Sequence, residues 1–157
     1  MDAYVAIKMV HILSGAVLFG TGMGIAFFMV WAHRGRDAAA VAHVAGTVVV
    51  ADALFTAVAV IVQPLSGLAL IHLQGYALTE PWLLWAYGLY VLTGACWLPV
   101  VAIQIRLRDL ARAAAASGEP LPPVYDRLYR VWLALGFPAF AAVLAIYWLM
   151  IAKPAWT

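Results

Sequence analysis

The stretch YVAIKMVHILSGAVLFGTGMG, residues 4–24, sets Lys8 and His11 three residues apart at the head of a long apolar run. On a helix, side chains at that spacing share one side and lie about a turn apart. A neutral imidazole can give a ring nitrogen to a metal or move a proton near pH 7. Helical rotation of about 100° per residue places Gly15 and His33 about 40° from His11, and Leu18 and Gly22 about 20° from it. One face of this helix therefore carries His11, Gly15, Gly22 and His33. Glycines beside an inward histidine leave room for a flat ligand. A b-type haem asks for such a face in a helical bundle, with imidazole as axial ligand. His72, or Lys8, is the candidate for the sixth position.

Each of these residues also has a plainer reading. A histidine near a helix end is more often interfacial or hydrogen-bonded than a ligand, and Lys8 can snorkel to the water interface. His33 sits beside Arg34, and His43 lies across the following connection, so both are expected to meet headgroups or water, or one another. Asp52, in VVVADALFTAVAV, is the one acid inside an apolar segment. Unpaired, it would cost several kcal/mol, so it is expected to be paired or protonated, with Arg130 as structural partner. Gln63 precedes Pro64 and is expected to bond the carbonyl that the proline frees. Met9, Met23 and Met29 do not converge on one copper site. The sequence has no H-E-x-x-H, no C-x-x-C and a single cysteine, Cys96, which allows no internal disulfide.

The elements that must position these groups follow from composition. The chain has 157 residues, of which 67% are hydrophobic and 10% charged. Its mean hydropathy is +0.98. A soluble domain of that size needs more polar surface. Four apolar segments are each long enough to cross a hydrocarbon core of about 30 Å. Lipid offers the backbone no hydrogen-bond partner, so all four are helical. The expected helices run over about 4–32, 41–73, 82–116 and 124–152, bounded by Gly35, QGYALTEP and SGEPLPP. They form one domain, an all-α integral membrane fold, an antiparallel bundle of four transmembrane helices with short connections. No internal repeat is evident. Pro64, Pro99 and Pro138 should kink helices two, three and four. Ala16, Gly20 and Gly24 make a small-residue stripe, suited to packing inside the bundle or to a homodimer contact. Trp82, Trp85, Tyr87, Trp148 and Trp156 read as an interfacial aromatic belt.

Basic residues set the orientation. Seven arginines lie in the first and third connections or beside them, against Lys8 and Lys153 at the other side. The bias puts both termini outside a bacterial cytoplasmic membrane, on the periplasmic side. A net charge of +2 is too small and dispersed for nucleic acid.

The first helix, YVAIKMVHILSGAVLFGTGMGIAFFMVWAHR, resembles the bacterial membrane family known as domain of unknown function 2269, over essentially the whole chain. More distantly the chain is similar to HemJ-type protoporphyrinogen IX oxidases and to CopD-like copper-resistance membrane proteins. With the HemJ type it shares Tyr4, Lys8 and His11 at the opening, His33, Pro64, a PW opening the third helix, and the closing stretch with Pro138, Lys153 and Pro154. That resemblance implies haem b with His11 as an axial ligand. The HemJ type also uses a third-helix lysine, where this chain has Ala86 or Tyr87. The second ligand then falls to His72 or Lys8, or the iron is five-coordinate. The expected function is a haem-b-binding redox membrane protein with an unknown redox partner. The alternatives are a copper-handling or small-solute carrier of the CopD-like kind, and a non-catalytic protein that docks partners on RLRDLARAAAASGEPLPPVYDRLYR.

Overall fold

The computed structural model describes residues 2–154. The fold has four long helices: α1 (Ala3–Gly35), α2 (Ala38–Gln74), α3 (Pro81–Ser117) and α4 (Pro123–Ala152). Each is long and apolar enough to span a membrane, and the described residues contain no strand. The architecture is the expected all-α integral membrane bundle. Trp156, assigned to the aromatic belt, lies outside the described residues.

Local chemistry sets the helix ends. The α1–α2 connection is only Arg36 and Asp37, so both helices extend further towards it than their apolar runs suggest. Asp37 caps α2, its carboxylate accepting the N–H groups of Ala39 at 3.2 Å and Ala40 at 3.1 Å. Gly35, expected to end α1, is its last helical residue. The left-handed position falls on Arg36, with φ 54°. An L side chain there costs about 1–2 kcal/mol. The Arg36 guanidinium meets both carboxylate oxygens of Asp126 in the first turn of α4, and this hydrogen-bonded carboxylate raises the Arg36 pKa above its ordinary value. At the other turns glycine takes the left-handed φ, Gly75 at 68° and Gly118 at 71°.

Packing differs between the two halves of the bundle. At the arginine-rich end all four helices share one core, with Met29, Val41, Leu107 and Tyr125 fully enclosed. Towards the termini, the Ala57–Gln74 part of α2 packs on α1, while α3 packs on α4. Long side chains bridge these pairs. Phe19 of α1 stacks on Phe140 of α4 at 5.0 Å and meets Tyr147 edge-on at 5.9 Å. A smaller cluster of Ile71, Trp82, Leu83, Ala86 and Leu149 closes the terminal end. There Lys153 Nζ donates to the Tyr76 hydroxyl at 2.9 Å and lies over the Trp82 ring.

Three expectations change. Trp82 is not part of an interfacial belt: it is 6% exposed and fills the terminal core, whereas Trp85 is 62% exposed. Gln63 does not bond the carbonyl freed by Pro64. The proline removes the N–H that would reach the Val60 carbonyl, and the Tyr90 hydroxyl of α3 donates to that carbonyl instead. The stripe of Ala16, Gly20 and Gly24 does not pack inside the bundle. Ala16 and Gly20 are exposed, and a Cβ on Gly20 or Gly24 would meet no atom within 4 Å.

α2 also holds a π-helical turn, Asp52–Thr56, where the Ala57 N–H reaches back to the Asp52 carbonyl. The extra residue per turn re-aims side chains on either side of it.

Tyr90→Phe should cost about 1–3 kcal/mol, because it strands the Val60 carbonyl in an apolar interior; thermal unfolding in detergent measures this, and unchanged stability contradicts the assignment. Arg36→Gly should be near neutral, since relief of the left-handed strain offsets an exposed ion pair worth up to about 1 kcal/mol. Asp126→Ala should only lose stability. The reverse order in the same assay would show that the backbone at Arg36 is unstrained.

Candidate functional site

His11 belongs to a polar cluster in the terminal half, built between two short segments. HILSG, residues 11–15 of α1, runs antiparallel to QPLSG, residues 63–67 of α2. The two pair reciprocally. His11 Nδ1 lies 2.9 Å from Ser66 Oγ, and Ser14 Oγ donates to Gln63 Oε1. Each serine serves the polar residue that opens the other segment. Each glycine gives that residue room: a Cβ on Gly67 would stand 3.1 Å from His11 Cε1, and one on Gly15 would stand 3.4 Å from Gln63 Nε2.

The pairing fixes the tautomer of His11. Ser66 Oγ lies 2.7 Å from the Val62 carbonyl, to which it donates its proton. Its oxygen is then an acceptor, so His11 carries its proton on Nδ1. Nε2 is the bare nitrogen, and the Gln63 amide donates to it at 3.3 Å. This assignment follows from the hydrogen-bond network. Nε2 thus faces the place where Gln63, Gly15 and the Tyr147 hydroxyl of α4 meet, between the helix pairs. The arrangement presents one neutral nitrogen donor to the bundle interior, oriented by a neighbour, as in metal-binding histidines.

The other candidates disperse. Lys8 is exposed, its ammonium over the Tyr4 ring at 5.4 Å. His72 is exposed in the last turn of α2. Neither hydrogen-bonds His11. Gly15 does not leave open room for a flat ligand, because Tyr147 Oη stands 3.1 Å from the position of its missing Cβ. Gly22 does leave room, with no atom within 4 Å of that position. Among the described residues no three His, Cys, Asp or Glu side chains converge as a metal site.

His43 is exposed, as expected, whereas His33 is partly enclosed by aromatic rings. The His33 ring stacks on Tyr129 at 3.6 Å and 9°, with Tyr125 at 5.8 Å. Its Nδ1 and the Tyr125 hydroxyl are buried without a partner among the described residues. His43 is exposed on a groove of about 560 Å³ that Thr47, Val50 and Arg112 also line.

Asp52 and Arg130 do not pair. Arg130 is exposed, its Nε directed at the Asp126 carbonyl one turn back. The inward face of α4 is taken by Tyr129 and Trp132. Asp52, 4% exposed, instead accepts from Trp97 Nε1 at 3.3 Å. With its amide nitrogen turned to Asp52, Gln104 donates to Oδ2 at 3.0 Å and accepts from Trp132 Nε1 at 3.3 Å.

The sequence reading missed Ser14, Ser66 and Tyr147, and misassigned Gln63. A signal was present: L-S-G occurs twice, at residues 13–15 and 65–67, each time beginning two positions after a polar residue, His11 or Gln63. Gly67→Ala should push the His11 ring off Ser66 and destabilise the protein by about 1–3 kcal/mol. Gly22→Ala should be neutral or gain up to about 1 kcal/mol from helix propensity. Equal effects in detergent unfolding would show that the Gly67 contact is not tight.

No curated protein and no solved structure matches this chain. A family model described as "Predicted integral membrane protein (DUF2269)" matches residues 5–154. A match across nearly the whole four-helix span is what one membrane domain of this kind gives, and the chain belongs to the DUF2269 family of integral membrane proteins.

Proposed function

We propose that the protein is a haem-b-binding integral membrane protein of redox type, with His11 Nε2 as an axial donor. The observation that carries this reading is the hydrogen bond between His11 Nδ1 and Ser66. It holds the ring in the tautomer whose bare nitrogen faces inward. The donor set fits one axial ligand. Lys8 and His72 are exposed and neither hydrogen-bonds His11, so His11 is the residue that would hold the haem. A b-type haem bound there would supply one-electron redox chemistry.

The chain's own residues orient and shelter that donor. Ser66 keeps the proton on Nδ1, and Gly67 lets the ring lie against α2. Gln63 hydrogen-bonds Nε2 when no ligand does, and Ser14 anchors Gln63 when its amide nitrogen is released. Gly22 lies three turns beyond His11 along the same face, with no atom within 4 Å of its missing Cβ. The stripe of Ala16, Gly20 and Gly24, free of neighbours within the chain, is suited to a second copy. The arginine bias supports a bacterial inner membrane with the Arg36–Asp37 connection in the cytoplasm and both termini outside.

The test is a dithionite-reduced minus oxidised spectrum of protein purified after growth with ample haem precursor. A b-type band is expected, lost in His11→Ala and weakened in Ser66→Ala, where haem affinity should fall by about 10–100-fold. An absent band, or one that His11→Ala leaves unchanged, would refute the reading.

A further inference from the structure

We propose that Asp52 is a proton-binding site inside the membrane-spanning part of the protein, its carboxyl held in the charged and neutral states by uncharged hydrogen-bonding neighbours. The proposal does not depend on haem binding.

The charged state has its donors in place. Trp132 and Trp97 can only donate through their indole nitrogens. Trp132 Nε1 points at Gln104, which fixes the amide oxygen on that side and turns the amide nitrogen to Asp52 Oδ2. Trp97 Nε1 supplies Oδ1. Trp97 and Gln104 thus each direct a polar hydrogen at the carboxylate, and Trp132 holds Gln104 in that orientation.

The neutral state has an acceptor in place. Thr56 follows one turn after Asp52 in the π-helical turn. Its hydroxyl is buried beside the Asp52 carboxyl, and no other partner reaches it among the described residues. A protonated carboxyl has one O–H to place, and Thr56 Oγ can accept it. By rotating about its C–O bond the same hydroxyl can donate to the carboxylate or accept from the protonated carboxyl. Uptake forms one O–H bond on the carboxylate, the proton coming from hydronium or water, and release reverses it.

No charged group competes. Between His11 and His33, α1 carries no titratable side chain. Between His43 and His72, α2 carries only Asp52, and between Arg130 and Tyr147, α4 carries none. On α3 the stretch between Tyr90 and Arg106 holds only Cys96, a neutral thiol next to Trp97. Tyr129 and Arg130 bound this band at the arginine-rich end of α4, and no ion pair among the described residues includes Asp52. The carboxyl is therefore the sole acid in the central band of the bundle, where a bare charge is costly and a proton relieves it.

The experiment uses the full-length protein in detergent. Dicyclohexylcarbodiimide, which attacks protonated carboxyls in apolar surroundings, should modify Asp52, located by peptide mass, and faster as pH falls. Infrared difference spectra between high and low pH should show a carboxylic-acid C=O band that Asp52→Asn removes. Trp97→Phe takes away a group that can donate only to the charged form and should raise the titration midpoint by roughly one pH unit. Circular dichroism checks that the variants fold, and the wild-type labelling stands without them. The proposal is overturned if Asp52 is unlabelled at every pH and no band that titrates is lost in Asp52→Asn, or if Trp97→Phe fails to raise the midpoint.

Discussion

A bilayer core offers a polar group nothing to bond with, and the interior of this bundle is organised by that lack. A polar side chain that enters it needs a partner, on its own helix or on another. The three internal networks are answers to this demand. Pro64 frees the Val60 carbonyl, and Tyr90 crosses from α3 to meet it. His11 and Gln63 are met by Ser66 and Ser14. Asp52 is met by Trp97 and, through Gln104, by Trp132. Apolar packing alone discriminates poorly between helix neighbours in lipid, because lipid tails are as apolar as leucine. Polar partners with fixed geometry set which helix lies beside which, and at what height.

The two halves of the molecule carry different parts of this work. At the arginine-rich end the four helices share one core, and a two-residue connection with a bidentate ion pair fixes α1 against α4. At the terminal end the helices separate into pairs joined by aromatic side chains. The histidine cluster lies in this looser half, where a ligand could be accommodated without unmaking a packed core. The Asp52 network lies between the halves, at the π-helical turn, where α2 passes from packing with α1 and α3 to packing with α1 alone.

Much of the fold was legible because it rests on bulk properties. Four apolar runs, Pro and Gly at their borders and the absence of water as a partner leave little choice of architecture. The Asp37 cap was not weighed, so the ends of α1 and α2 were placed short of it. The site was legible only in part. Helical arithmetic found the face of His11, Gly15 and Gly22, yet could not say what lay across from it. Which groove on a neighbour receives a side chain depends on the relative height of two helices. Height is set by pairings such as Ser14 with Gln63, whose residues sit 49 apart. Asp52 was recognised as an anomaly, but depth along the chain favoured Arg130, and rotation about α4 put that arginine outside. The donors it has are tryptophans, a residue type read for its ring before its N–H.

The reciprocal contact between HILSG and QPLSG makes the α1–α2 seam isologous within a single chain, like the contact across the axis of a twofold dimer. Serine, leucine and glycine repeat across that pseudo-axis. The opening residues do not. Of two equivalent seats, one holds an imidazole and the other an amide of similar reach. The amide can donate and accept but has no accessible protonation change and is a poor metal donor, whereas the imidazole has both capacities. The symmetry of the seam therefore builds the seat, and its single departure from symmetry decides on which helix chemistry can occur.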